Sequence, residues 1–446
     1  MFGERRSEQK FFAVVIILAL TLSSCLVSRA EASPKIAWTQ THNPSAGEDS
    51  AWGVWADASA LYVAGDDSAQ GNLEWRMEKR SLSDGHLMWV QVDNPSVGAD
   101  SIWSVSGDVS GIYAVGYDSS PGDLEWRIEK RSLTDGTLLW TQTSNPSAGA
   151  DFAYGVAVDA SGIYVVGIDN SPGNNEWRIE KRSLSDGKVI WTQTSNPSGG
   201  VDWALGVATD ASGIYVVGYD SFPGDLEWRI EKRSLTNGEP IWTQTSNPTH
   251  GEASGIYLGD RAFGVAADSS GIYVVGFDNS PAPDDVEWRI EKRALADGNL
   301  LWNQTENPSP REDRAFGVGV DASGMYAVGF DSTPGPGDLE WRVEKRNRDD
   351  DALLWTQTDN PSVGEDWAWA VAVRASGVYV AGFDSSHGED NVEWRIEKIA
   401  EETVSPFCVQ PWFTISTIAM TAIAVVAVLA VLKRKGYSLI FKHPAR

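Results

Sequence analysis

Few residues in this 446-residue chain have a type and spacing that suggest chemistry. Those that do interrupt an otherwise regular pattern in three places: "PTHGEASGIYLGDRAFG" (248–264), "PSPREDRAFG" (308–317) and "SSHGEDNVE" (385–393). They bring His250, Tyr257, Arg261, Arg311, Arg314 and His387, and "EDWAWA" (365–370) adds Trp367 and Trp369. Imidazole can carry a proton near neutral pH, guanidinium holds anions, and indole offers a flat apolar face. Catalysis would need a nucleophile beside a base, or ligands at metal-binding spacing, and neither pattern is present in these stretches. The expectation is ligand-binding residues in a protein that is not an enzyme. A quinoprotein-like or polysaccharide-acting enzyme is the alternative.

Three weaker signals accompany them. The loop at 118–125, with its equivalents "DNSPAPDDVE" (278–287) and "DSTPGPGDLE" (331–340), gathers oxygens such as Asp118, Asp123 and Glu125, which calcium would accept. None has the spacing of a dedicated calcium loop, and Asp, Ser, Pro and Gly are also what a tight turn requires. No cofactor is therefore expected. An aromatic position recurs as Trp52, Trp103, Tyr154, Phe263, Phe316 and Trp369, with Leu205 as the exception. Such rings would pack between elements or stack on a sugar or a peptide side chain. One glycosylation sequon, "NQT", begins at Asn303.

These residues sit in a repeat. A period of 51 residues dominates positions 36–398, and one copy reads "GVAVDASGIYVVGIDNSPGNNEWRIEKRSLSDGKVIWTQT" (155–194). It divides into four strands, 153–158, 163–168, 176–184 and 188–194, with "DASG" and "SDG" as tight turns. Four antiparallel strands in about 50 residues is the signature of a propeller blade. The Trp of "EW" recurs as Trp75, Trp126, Trp177, Trp228, Trp288, Trp341 and Trp394. The last-strand Trp recurs as Trp38, Trp89, Trp140, Trp191, Trp242, Trp302 and Trp355, so it starts before the first "EW". "KIAWTQT" (35–41) is thus an orphan last strand, and the seventh copy lacks one. An all-β, seven-bladed β-propeller whose N-terminal strand closes the last blade resolves both facts. It also leaves neither sheet edge unpaired. Within "EWRIEKR", Arg127 and Glu129 are expected to face the wetter side of the blade as a weak cross-strand pair.

Loop lengths separate two faces. First-strand position to second-strand glycine is twelve residues in every copy, and "EW" Trp to last-strand Trp is always fourteen. The other two connections vary. Second-strand glycine to "EW" grows from ten to twelve in the last three copies, and Trp242 to Gly264 is twenty-two residues where fifteen is the rule. All length changes fall on one face and on blades five to seven, as recognition surfaces often do.

"RSLSDGKVIW" (182–191) resembles the tryptophan-docking repeat of quinoprotein-type propellers, and "VDASGIYVVG" (158–167) is similar to repeats of bacterial and archaeal seven-bladed surface propellers. The resemblance implies a structural role for Trp140, Trp191 and their equivalents. Quinone-binding members usually have eight blades and a vicinal cysteine pair; this chain has seven copies and no such pair, and "DG" stands where "TG" is usual.

Charge and the two ends set the compartment. The net charge is −26; residues 1–32 carry +1 and residues 433–446 carry +5, which leaves −32 for the stretch between. So acidic a surface repels phosphate backbones, and nucleic acid is not expected as a partner. "FFAVVIILALTL" (11–22) behind basic residues suits a signal peptide (1–32), with cleavage after Ala32 or lipidation at Cys25 as the two routes. "WFTISTIAMTAIAVVAVLAVL" (412–432) is an uncharged stretch long enough to span a bilayer, and the basic tail 433–446 would stay in the cytoplasm. The expected order is signal peptide, ectodomain 33–400, linker 401–411, transmembrane helix and tail. The expected partners are the membrane through 412–432 and a protein or carbohydrate at the cell surface.

Overall fold

The computed structural model describes residues 33–402, apart from 121, 172, 222–224, 249–258, 283–284 and 389–390, together with Arg434. The expected signal peptide, transmembrane helix and nearly all of the tail lie outside the described residues. Among the described residues, no helix is long and apolar enough to cross a membrane. Residues Pro34–Glu401 form one compact unit.

That unit is a seven-bladed β-propeller. Strand β1 (Ser33–His42) comes first, then blade one: β2 (Ser50–Ala56), β3 (Ala60–Asp67), β4 (Glu74–Ser81) and β5 (Leu87–Asp93). Strands β6 to β25 repeat this order through blades two to six, from Ser101 to Asp359. Blade seven has β26 (Trp367–Arg374), β27 (Gly377–Asp384) and β28 (Glu393–Glu402), and its fourth strand is β1. The first strands of neighbouring blades pack against one another around the axis. The third strand of blade three ends at Arg182, because Ser183 and Leu184 already belong to the turn. Strand β28 runs to Glu402, past the expected start of the linker at 401.

Blades are locked to one another by both tryptophan series. The "EW" indoles are essentially fully buried. Each donates its N–H to a second-strand carbonyl of the next blade, as in Trp126 Nε1 to Ile168 O at 2.9 Å. Trp394 closes the circle by donating to Asp66 O at 2.8 Å. A guanidinium of the next blade lies over the ring, Arg178 being 5.7 Å from the Trp126 centroid. Trp355 is buried and Trp302 donates to Arg348 O of a turn without glycine, while the other last-strand tryptophans are half-buried and dock on the next blade's "DG" or "NG" turn. There Gly187 adopts φ +71, and a Cβ would fall 2.6 Å from the Trp140 ring. Glycine is needed at that point for both its backbone angle and its lack of bulk.

The same seams gather Lys and Tyr on one carbonyl. Lys398 Nζ (2.9 Å), Tyr379 Oη (3.2 Å) and Trp38 Nε1 (3.5 Å) all donate to Leu82 O. Blade seven has no such turn to offer, because the ring is cut between its third and fourth strands. Glu401 takes the turn's place: its Oε1 pairs with Lys345 and accepts from Trp355 Nε1 (3.2 Å) and Tyr326 Oη (3.3 Å). A carboxylate thus stands in for a missing peptide carbonyl.

Arg127 and Glu129 differ from the expectation of a wet face. Glu129 is fully buried, clasped by Arg127 (Nη2 to Oε1, 2.6 Å) and Arg131 (Nε to Oε2, 2.7 Å), two residues away on either side along the same strand. The alternation rule assumes one solvated face, but in a closed ring each blade is covered on both sides. Breaking such a buried pair costs about 3–5 kcal/mol, against less than about 1 kcal/mol for an exposed one.

Candidate functional site at the mouth of the channel

The recurrent aromatic position is shaped by the backbone. In blade one Ala51 pairs with Gly65 and Gly53 with Ala64, so Trp52 is the extra residue of a β-bulge. The same irregularity recurs at Trp103, Tyr154, Leu205, Phe263, Phe316 and Trp369. A bulge re-aims the side chain it carries. Opposite it the chains come so close that a Cβ on Gly167 would lie 1.9 Å from Phe152 O, which explains the glycine there in every blade.

The seven bulged residues converge on the axis. Phe316 stacks on Trp369 with centroids 4.3 Å apart, and Trp52 on Trp103 at 5.2 Å. Contacts also reach between blades that are not neighbours: Trp103 and Phe263 each lie 6.3 Å from Trp369. Beside this cluster is a cavity of about 230 Å³ lined by Trp103, Tyr154, Trp203, Arg261, Phe263 and Trp369 among others. Trp203 and Arg261 are the first residues of their strands, so the cavity lies toward the face with the variable loops.

Two arginines break the symmetry there. The first-strand starts read Ser50, Ser101, Phe152, Trp203, Arg261, Arg314 and Trp367. Arg261 lies over Tyr219 (5.1 Å) and Phe277 (5.9 Å), and Arg314 over Phe277 (4.9 Å), so one phenyl ring serves two guanidiniums. Arg314 also pairs with Glu312 at 2.9 Å. Burial lowers its pKa, and the neighbouring charge of Arg261 adds to that while Glu312 opposes it. Trp367 stacks on both Trp369 (6.1 Å) and Phe316 (5.6 Å).

The other candidates stay apart from this mouth. Arg311 is exposed on a loop, and His387 lies 3.3 Å from Glu393 Oε1. His250 and Tyr257 lie outside the described residues. Asp118 Oδ2 accepts from Arg127 at 3.0 Å and Asp123 Oδ1 from Asn145 at 3.0 Å, while Glu125 is raised in pKa by burial and then by Asp118. Among the described residues, no three His, Cys, Asp or Glu side chains converge as a metal site would need. Asn303 is exposed on the outer strand of blade five.

One residue escaped the sequence reading. Asp66 stands where other blades carry Tyr117, Ile168, Tyr219, Phe277, Phe330 and Phe383. It accepts from Trp52 Nε1 (2.9 Å) and Ser101 Oγ (2.5 Å), and burial pushes its pKa up to about 7 in spite of them. Superposing the copies would have exposed the substitution.

Distant likenesses are found among solved structures. A quinohemoprotein alcohol dehydrogenase from Pseudomonas putida shares 9% identity over 83% of this chain and 77% of its own, at a TM-score of 0.46. Sqt1 of Chaetomium thermophilum, bound to the N-terminus of a ribosomal protein, shares 10% identity over 83% of this chain and 100% of its own, at 0.45. The endosialidase of phage phi92 shares 11% over 84% of this chain and 70% of its own, at 0.43. No protein-family model matches the chain, and no curated protein matches it in sequence.

Proposed function

We propose that this chain is a membrane-anchored cell-surface binding module that takes a protein or carbohydrate ligand at the variable face, over the channel mouth. The supporting observation is where asymmetry gathers. Arg261, Phe263, Phe316 and Trp369, from blades five to seven, line the axial cavity together with Trp103, Tyr154, Trp203, Leu205 and Tyr219 from blades two to four. Loop lengths depart from the repeat on blades five to seven. Elsewhere the repeat is spent on holding neighbours together. Aromatic walls suit the apolar face of a sugar or a peptide side chain, and a concave apolar pocket with a few polar groups is where ligands ordinarily bind.

The test is capture of glycan and protein ligands by cells displaying the full chain, set against cells displaying Trp369→Ala. Loss of capture at equal surface display supports the reading. Undiminished capture by the variant would remove the mouth as the recognition site.

A further inference from the structure

Blade one carries an outer edge that the other blades lack. In its fourth strand β5, Leu87, Met88, Val90 and Val92 are 42%, 52%, 38% and 38% exposed. Trp89 and Gln91 alternate with them and face blade two, where Gln91 Nε2 donates to Asp135 O at 2.8 Å. At the places of Val90 and Val92 the repeat has threonine, as in Thr192 and Thr194, with Asn303 the one other departure. Strand β5 ends the order of its sheet, with β4 as its neighbour on the inner side. Edge strands are ordinarily guarded by charge against pairing with another chain, and no charged residue lies between Leu87 and Val92.

Charge and symmetry name the occupant. The stretch between residues 33 and 432 carries a net charge of −32, so two copies repel each other over most of their surface. A strip free of charge is where a second copy can approach. The apolar pattern is also its own complement. With β5 set antiparallel to β5 of a second copy about a two-fold axis at Val90, Val90 meets its mate. Val92 then meets the Leu87–Met88 end on both sides of the axis.

We infer that β5 pairs antiparallel with β5 of a second copy, joining two blade-one sheets into one of eight strands. Direction then decides which copy. Strand β5 runs from the face of constant turns toward the variable face, whereas β28 runs the other way and ends at Glu402 on the constant face. Antiparallel pairing inverts the second copy, so the two chains leave the pair at opposite ends. With the membrane anchor proposed above, the copies come from two apposed membranes, and the edge is a homophilic contact between cells. This rests on that reading for the anchor alone and leaves the channel mouth free. Two seven-residue strands make a contact smaller than the roughly 1,200–2,000 Å² of a stable interface, so single pairs are weak and many copies on one surface act together.

The experiment is clustering of phosphatidylcholine vesicles carrying the full-length chain, followed by turbidity, with flotation to show incorporation. Vesicles of the parent chain should cluster, more strongly as salt screens the acidic surfaces. Val90→Lys sets two like charges against each other at the axis and should slow clustering at least about tenfold, with the melting temperature unchanged. Thr192→Lys, at the same place on blade three, should cluster as the parent does. Absence of clustering by the incorporated parent, clustering that survives Val90→Lys, or equal loss in Thr192→Lys overturns the inference and leaves the ligand-binding reading standing. Should Val90→Lys fail to fold, the double variant Val90→Thr, Val92→Thr, which restores the repeat, decides in its place. A chain that does not float with vesicles removes the anchor instead, and sedimentation in plain buffer then reads the pairing. There a dimer lost in Val90→Lys supports it, and a monomer at all concentrations overturns it.

Discussion

The blade seams and the channel mouth use the same residue types to opposite ends. At the seams, the "EW" tryptophan meets the same partner in each blade: a second-strand carbonyl, reached at 2.8–3.0 Å by Trp75, Trp126, Trp177, Trp228, Trp288, Trp341 and Trp394. At the mouth, the bulged position holds Trp, Tyr, Leu or Phe. Uniformity marks what closes the ring; variety marks what the ring presents. The contrast also separates burial from function, since the most buried tryptophans are the ones that only hold blades together.

Breaking a seam should give the largest effect. Trp177→Ala removes a fully buried indole and the donor it gives to Tyr219 O, and the expected loss is about 3–5 kcal/mol, measured by chemical denaturation. Glu180→Ala should cost a similar amount, because it takes from Arg178 and Arg182 the buried anion they share. Were either variant within about 1 kcal/mol of the parent, the seams would not be what holds the ring.

The substitute contact at blade seven sharpens the comparison at an intermediate scale. Glu401→Ala should cost about 1.5–3 kcal/mol through the charged bonds of Lys345, Trp355 and Tyr326. Replacing it with Gln should restore part of that, since an amide oxygen can still accept from the indole and the phenol. Equal loss in both variants would show that charge alone matters there.

A smaller effect should follow pH. Burial, with Asp220 opposite it, raises Glu227 to about 7; Asp313 and Asp366 are raised to about 6 by burial. Glu74, Glu287 and Glu340 shift upward for the same reasons. These carboxyls hold their protons more tightly folded than unfolded. Their penalty is absent below their unfolded pKa near 4–4.5, grows as pH rises, and is complete above about 7. Thermal unfolding should therefore occur several degrees higher at pH 5.5 than at pH 8. A melting temperature that rises with pH across this window would contradict the assignment.

Much of this architecture was legible from residue spacing. The two tryptophan series counted seven blades, and their offset placed "KIAWTQT" in the last one, as β1 is. Constant and variable spacings told the two faces apart. The bulge was not legible, because a single extra residue leaves the spacing between flanking glycines unchanged at twelve. The buried clasp of Glu129 was misread since alternation cannot tell a wet face from one covered by the next blade. Arg261 stands out in the sequence as a departure from the repeat and Trp369 as one of its recurrent aromatics, but only the fold places them on one cavity while leaving His387 and Arg311 elsewhere. Asp66 was missed because its neighbour Asp67 belongs to the regular pattern and hid it.

The smallest stability effect should come from the mouth. Trp369→Ala loses the ring contacts of a half-buried side chain, for about 1–3 kcal/mol, below the loss for Trp177→Ala. The decisive measurement is the affinity of this variant for the ligand that the intact chain captures. The account predicts that binding falls by at least about tenfold in a ring that still melts as one cooperative unit. Full affinity in Trp369→Ala would mean that the convergent aromatics are only filler, and that recognition lies elsewhere on the molecule.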